Sequence, residues 1–238
     1  MSEKKIKTEK AFVAFIDLLG ASQLMEKNSD SSLEIIHNCY ECVKEYIFKW
    51  EKESFPIPQI KIFSDNIILS IPLNNLESDK SLFSGISILI FYIYLQVYFW
   101  MNNLLVRGAI TIGSYFQDDM IAWGSGLVKA HCLESSIAIY PRIIIDPEIE
   151  KFMEELCDFF KTQLLTQDFD GIYFIDPYTH RNSRNIESLI DDFIIDNEKR
   201  IEENKGNYRI LQKLNWLQNY FNEKTKNGNS SAYTVKEL

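Results

Sequence analysis

Hydrophobic and polar positions alternate along this chain in blocks that read as a mixed αβ order. Ala11–Asp17 is an unbroken apolar, β-prone run and predicts a buried strand. Gly20 begins a turn into a helix, and Ser31–Lys52 carries the apolar spacing of an amphipathic helix. Pro56 and Pro58 break the chain. Gln59–Phe63 and Ile67–Ile71 then predict two strands joined by a tight turn at Ser64-Asp65-Asn66. A long helix is expected from Asp79 to Asn103, a strand over Arg107–Gly113, and a helix from Trp123-Gly124 to Ser136. Arg142–Ile145 and Gly171–Ile175 read as further strands, and Arg184–Asn204 and Asn207–Lys224 as polar amphipathic helices.

This order is the split β-α-β-β-α-β unit. The expected class is α+β: a ferredoxin-like βαββαβ core with an extra C-terminal strand and helices, the sheet rich in antiparallel pairs and its helices on one face. The expected division is an N-terminal extension over 1–10, a catalytic-type domain over 11–180, a helical extension over 181–226 and a flexible tail over 227–238.

From Ser81 to Val106 no residue is charged, and by length alone the segment qualifies as a membrane span. A span there would put the Arg107 strand on the opposite side from the Ala11 and Ile60 strands, which could then share no sheet. The expected role is a helix covered by the sheet and by a second subunit, with no membrane partner.

Composition narrows the class. The 238 residues are 46% hydrophobic and 13% aromatic, enough to build a sizeable core and too apolar for a disordered chain. The formal charge of −9 is concentrated between Asp146 and Glu203, where sixteen acids face six bases. The rest is near neutral, so a phosphate-bearing ligand is not repelled there, while nucleic acid as a partner is disfavoured for want of a basic surface. Cys39 and Cys42 form a C-x-x-C inside a helical run, one turn apart, with no second pair; Cys132 and Cys157 stand alone. MSEKKIKTEK has no apolar signal core behind it, and the expectation is a cytoplasmic protein with reduced thiols.

Two acids stand out by position. Asp17 ends the first strand in F-I-D-L-L-G-A-S, and Asp65 sits in the hairpin turn of I-K-I-F-S-D-N-I-I-L-S. Singly they read as a cap and a turn former. In a split βαββαβ sheet the first strand lies beside this hairpin, so the carboxylates converge and repel unless a cation sits between them. Mg²⁺ or Mn²⁺ suits two carboxylates plus substrate phosphates. Gly20 and the helix start after it favour an anion.

These features resemble the class III nucleotidyl cyclase catalytic domain. That family has F-x-D-I-x-G-F-[TS], a hairpin with K-x-x-G-D, a strand like R-x-G-I-x-x-G, and I-W-G leading to a helix ending in Leu/Met-Glu. The counterparts are Phe15–Ser22, Lys61–Asp65, Arg107–Gly113 and Ala122-Trp123-Gly124 through Leu133-Glu134. Within the family the chain looks most like the pyrimidine cyclases of bacterial Pycsar antiphage systems, sharing the flavour of V-R-G-A-I-T-I-G and Y-P-R-I-I-I-D.

The resemblance implies two Mg²⁺ or Mn²⁺ ions on Asp17, Asp65 and the Leu18 carbonyl. It implies a triphosphate held by Leu19, Gly20, Ala21 and Ser22, and a homodimer with shared active sites. The nucleoside triphosphate would give a 3′,5′-cyclic mononucleotide. Purine cyclases carry Asn and Arg where this chain has Val128 and Cys132; Lys129, His131 and Arg107 are the cationic candidates for the Arg role. Lys61 keeps the base-reading lysine, and Ile121 stands where adenylate cyclases place an Asp, which points to CTP or UTP rather than ATP. The competing expectation is a catalytically degenerate cyclase-homology domain that binds a nucleotide or partner.

Overall fold

The structure is a computed structural model and describes residues 6–27, 30–51, 58–73, 79–149, 164–180 and 186–228. Cys157, Arg181, Arg184 and the tail from 229 lie outside the described residues. The chain divides into two compact units, Met1–Thr179 and His180–Leu238.

In the first unit, β1 (Glu9–Leu19) leads into α1 (Ala21–Lys27) and α2 (Asp30–Glu51), followed by the hairpin β2 (Gln59–Phe63) and β3 (Asn66–Pro72). Helix α3 (Asp79–Met101), β4 (Leu105–Gln117), β5 (Ala122–Trp123) and α4 (Ser125–Ser136) come next, then β6 (Ile143–Ile145), β7 (Leu165–Gln167) and β8 (Tyr173–Ile175). The sheet order is β2-β3-β1-β4-β6-β8-β7, with β5 paired to β4. The run β2-β3-β1-β4 is antiparallel throughout, so the ferredoxin-like core is present. β6 joins β4 in parallel.

Side chains on a strand point alternately to opposite faces. On β1, Phe12, Ala14, Ile16 and Leu18 join α3 residues Ile88, Leu89, Phe91, Tyr92, Ile93, Leu95 and Phe99 in the main core. Burial of each Leu, Ile or Phe side chain there contributes about 1.5–3 kcal/mol. The other face carries Ala11 and Val13, packed with Ile68, Tyr115, Phe15 and Ala130 of α4. Helices therefore cover both faces, which corrects the one-face expectation. A parallel β4–β6 pair cannot be joined by a hairpin, so its connection must cross a face, and α4 is that crossover.

Most of the uncharged segment lies in α3, long and apolar enough to span a membrane by length and composition, yet 78% of its Ser84–Met101 window is buried. Ile93 is wholly buried within the chain itself, so a second subunit is not needed to cover that residue. Strands β5 and β7, two and three residues long, are too short to leave a periodic signal and are not among the strands expected.

The second unit holds α5 (Ile186–Glu203) and α6 (Tyr208–Gly228), joined by a short turn. Phe193 meets Phe221 edge-on, ring centroids 5.8 Å apart, and buried Asn197 donates to the Leu214 carbonyl at 3.1 Å and to Gln218 Oε1 at 2.9 Å.

Candidate active site

Asp17 lies on the α4 face of β1, two residues along from Phe15. Its neighbours across the strands are Asn66 of β3 and Arg107 of β4. Asp65 occupies the two-residue turn before Asn66, and its carbonyl accepts the Leu18 N–H at 3.0 Å. The main chains bearing the two carboxylates are thus clasped together at one end of the sheet. Ser64 takes a left-handed conformation, φ 56°, to make the turn. Asn66 Nδ2 donates to Asp65 Oδ1 at 3.2 Å, and Tyr40 of α2 donates to the Ser64 carbonyl at 3.4 Å. Burial first, then the Asp65 and Cys39 charges, push the Tyr40 phenol up to about 12.

Arg107 bridges two acids. Its Nε donates to Asp17 Oδ2 at 2.9 Å, and its Nη2 stands 2.8 Å from Glu134 Oε1. Glu134 is there because Gly126, Ala130 and Glu134, four residues apart, form the sheet-facing stripe of α4. Glycines let α4 come close: a Cβ on Gly113 would stand 2.5 Å from the Gly126 Cα.

The remaining candidates separate. The chain turns at Gly20, φ 82°, from Leu19 into α1 beside Asp17; Ala21 is buried, Gly20 and Ser22 exposed. Lys61 shares the α4 face, being opposite Ile68, which is opposite Phe15. Its ammonium donates to the Asp118 and Asp119 carbonyls at 3.0 and 3.3 Å. That turn includes Ile121, whose N–H reaches Asp118 Oδ1 at 2.8 Å, so Lys61 and Ile121 meet at one turn. His131 is exposed on α4, its ring edge-on to Phe15 at 4.9 Å.

Lys129 goes elsewhere, pairing with Asp146 at 2.6 Å and Glu148 at 2.9 Å. Burial alone would lower its ammonium, but those two acids hold it above its ordinary range. Asp146 also accepts from Thr111, four residues along β4 from Arg107, a separation of about 13 Å. Of the three cationic candidates, Arg107 is the one in contact with Asp17. Val128 and Cys132 are on the exposed side of α4.

Tyr40 escaped the sequence reading, and Glu134 entered it only as the end of the Leu133-Glu134 match, without a role at the site. A lone Glu on a stripe otherwise made of Gly and Ala was the available signal for Glu134; nothing marked Tyr40, whose place depends on how α2 packs. Asp168 and Asp170 are in the β7–β8 turn, where both pair with buried Arg142.

Asp17 and Asp65 offer only hard oxygen donors, and among the described residues no group of three or more His, Cys, Asp or Glu could hold a metal ion. Two carboxylates suit a Mg²⁺ or Mn²⁺ ion that takes its other ligands from phosphate and water. An ionised carboxylate has about four lone-pair sites, so the Arg107 bond leaves Asp17 able to take a cation as well. The donor set fits.

No protein-family model matches the chain, and no curated protein matches it. Solved structures do. The adenylyl cyclase CyaB from P. aeruginosa is 17% identical with a TM-score of 0.51, over 75% of this chain and 97% of that one. The catalytic core of a rhodopsin-guanylyl cyclase with converted specificity, in complex with ATPalphaS, is 12% identical with a TM-score of 0.48, over 72% and 97%. The monomeric guanylyl cyclase domain of the RhoGC fusion protein from the aquatic fungus Blastocladiella emersonii is 12% identical with a TM-score of 0.45, over 71% and 98%. Three quarters of this chain therefore carries the fold of an adenylyl cyclase catalytic domain.

Proposed function

We propose that the chain is a nucleotidyl cyclase that converts a pyrimidine nucleoside triphosphate, CTP or UTP, into a 3′,5′-cyclic mononucleotide and pyrophosphate. The observation that carries the reading is the clasp of the Asp17 strand to the Asp65 turn, which sets two carboxylates at one sheet end beside the Gly20 turn. In the reaction the ribose 3′-oxygen attacks the α-phosphorus. The bond to the bridging oxygen breaks, pyrophosphate leaves, and the hydroxyl proton passes to solvent water.

Asp17 and Asp65, with the Leu18 carbonyl, would hold two Mg²⁺ or Mn²⁺ ions. Bound ions supply a lowered 3′-hydroxyl pKa and charge neutralisation of the leaving pyrophosphate. The chain's own residues supply position. Leu19–Ser22 turns backbone N–H groups and the start of α1 toward the triphosphate. Lys61 spends two donors on the Asp118 and Asp119 carbonyls; an ammonium has a third, which suits the O2 carbonyl of a pyrimidine. Ile121 offers no side-chain acceptor to an adenine amine, and leaving that donor unsatisfied costs about 1–3 kcal/mol.

On this reading the protein is a cytoplasmic homodimer with shared sites, and the product is an antiphage signal. Val128 and Cys132 standing where purine cyclases have Asn and Arg favours a second reading, a nucleotide-binding module without turnover.

The test is purified protein with each of the four triphosphates and Mn²⁺ or Mg²⁺, with products identified by mass spectrometry. Cyclic CMP or cyclic UMP in excess of cyclic AMP is expected, lost in Asp17→Asn and Asp65→Asn and less selective in Lys61→Ala. A preference for ATP overturns the selectivity. Nucleotide binding with no product from any triphosphate selects the module.

A further inference from the structure

Arg107 is not placed to serve Asp17 alone. It stands directly across from Asp17 in the β1–β4 register, yet its guanidinium is divided: Nε on Asp17 Oδ2 at 2.9 Å, Nη2 on Glu134 Oε1 at 2.8 Å. The side chains of Arg107, Asp17 and Glu134 are 23%, 19% and 4% exposed, so these charges interact through a medium less screening than water. Asp17, Asp65 and Glu134 against Arg107 leave two formal negative charges, the charge of one divalent cation. Glu134 is the deepest of the acids and is fixed by α4.

We propose that Glu134, acting through Arg107, is a positioning residue that sets how strongly Asp17 takes a divalent cation. Glu134 draws the guanidinium toward α4, so that Asp17 keeps a carboxylate oxygen and enough negative charge for the ion. Arg107 in turn fixes the carboxylate plane of Asp17 against β4 and caps the repulsion between Asp17 and Glu134. The proposal rests on the metal reading above and adds the residues that tune it.

The sign of the effect separates this role from a structural one. In Glu134→Gln a negative charge is removed and Arg107 turns wholly to Asp17, so cation affinity falls. In Arg107→Gln a positive charge is removed from beside Asp17, so affinity rises. A unit charge removed from beside a divalent-ion site in this partly buried setting changes the affinity on the order of tenfold. The double variant Arg107→Gln/Glu134→Gln removes one charge of each sign and returns the affinity toward wild type.

The experiment is a Mn²⁺ titration of the full chain without nucleotide, followed by the electron paramagnetic resonance of the free ion, with a thermal melt of each variant. Opposite shifts in the two single variants, with the double variant between them, are expected. If both single variants bind Mn²⁺ more weakly, or neither changes, the proposal is overturned and the trio is structural. Asp17→Asn identifies the other failure: if it binds Mn²⁺ as wild type does, the metal reading itself is wrong and this inference falls with it.

Discussion

Arg142 is the largest of the fully buried side chains, and it is charged. It immediately precedes β6, with its guanidinium 5.2 Å from the Tyr140 ring centre and 5.8 Å from that of Phe174, and it pairs with Asp168 and Asp170 of the β7–β8 turn. Removing one partner of a buried pair costs about 3–5 kcal/mol, because the other charges are left desolvated. Arg142→Ala is therefore expected to lower the melting temperature by roughly 10 °C, at about 2–4 °C per kcal/mol. A melt like that of wild type would mean that the clamp contributes nothing. The pair also carries a pH signature. Burial opposes the Asp170 charge, but Arg142 and the Ile172 N–H outweigh it and hold the carboxyl below its ordinary range. An acid depressed on folding adds stability above its unfolded value of about 3.9 and loses it as pH falls through the lower folded value. Acidification below about pH 4 should thus destabilise the wild type more than Asp170→Asn, which melts recorded from pH 5 to pH 2 would reveal.

At the scale of elements, α4 places Glu134 over the sheet, and two glycines set its height. A Cβ on Gly113 would stand 2.5 Å from the Gly126 Cα and 2.7 Å from its backbone nitrogen, where no side-chain rotation gives relief. Gly113→Ala must lift the start of α4 from β4. Overpacking of this kind costs about 1–3 kcal/mol. We expect lower thermal stability and, on the proposed function, weaker cyclisation together, since Glu134 and Arg107 separate. Unchanged melting and turnover would show that α4 has room to move. Helix α3 illustrates the opposite case: its apolar residues are absorbed by the core on nearly every side, and its lack of charge reflects burial.

The whole molecule raises the question of assembly. The outer side of α4 exposes Ser125, Val128, His131, Cys132 and Ser135, without a carboxylate, and Val128 is 64% exposed. On the proposed shared-site reading this side faces the partner. Val128→Glu puts a charge where folding does not need the side chain, so the melt should stay within about 0.5 kcal/mol of wild type. The protein should become monomeric by sedimentation, and turnover should fall by at least about tenfold as an unpaired charge is driven into an interface. A monomeric variant with full turnover would place a complete site in one chain.

The sequence by itself determined the local order. Apolar runs and period-3.6 stripes marked β1, α2, the β2–β3 hairpin, α3 and α4 because alternation in burial is written directly in alternation of side chains. The nearness of Asp17 to Asp65 was legible too, since a hairpin beside the first strand leaves its turn nowhere else to go. Tertiary structure decided which face each helix covers, because an apolar strand such as β1 is buried on both sides and its pattern does not name the helix above it. It decided that Lys129 serves Asp146 while Arg107 is shared by Asp17 and Glu134. It also decided that Arg142 is buried between rings and acids far along the chain. A charge has no periodicity, and its partner is fixed only when strands and helices come together.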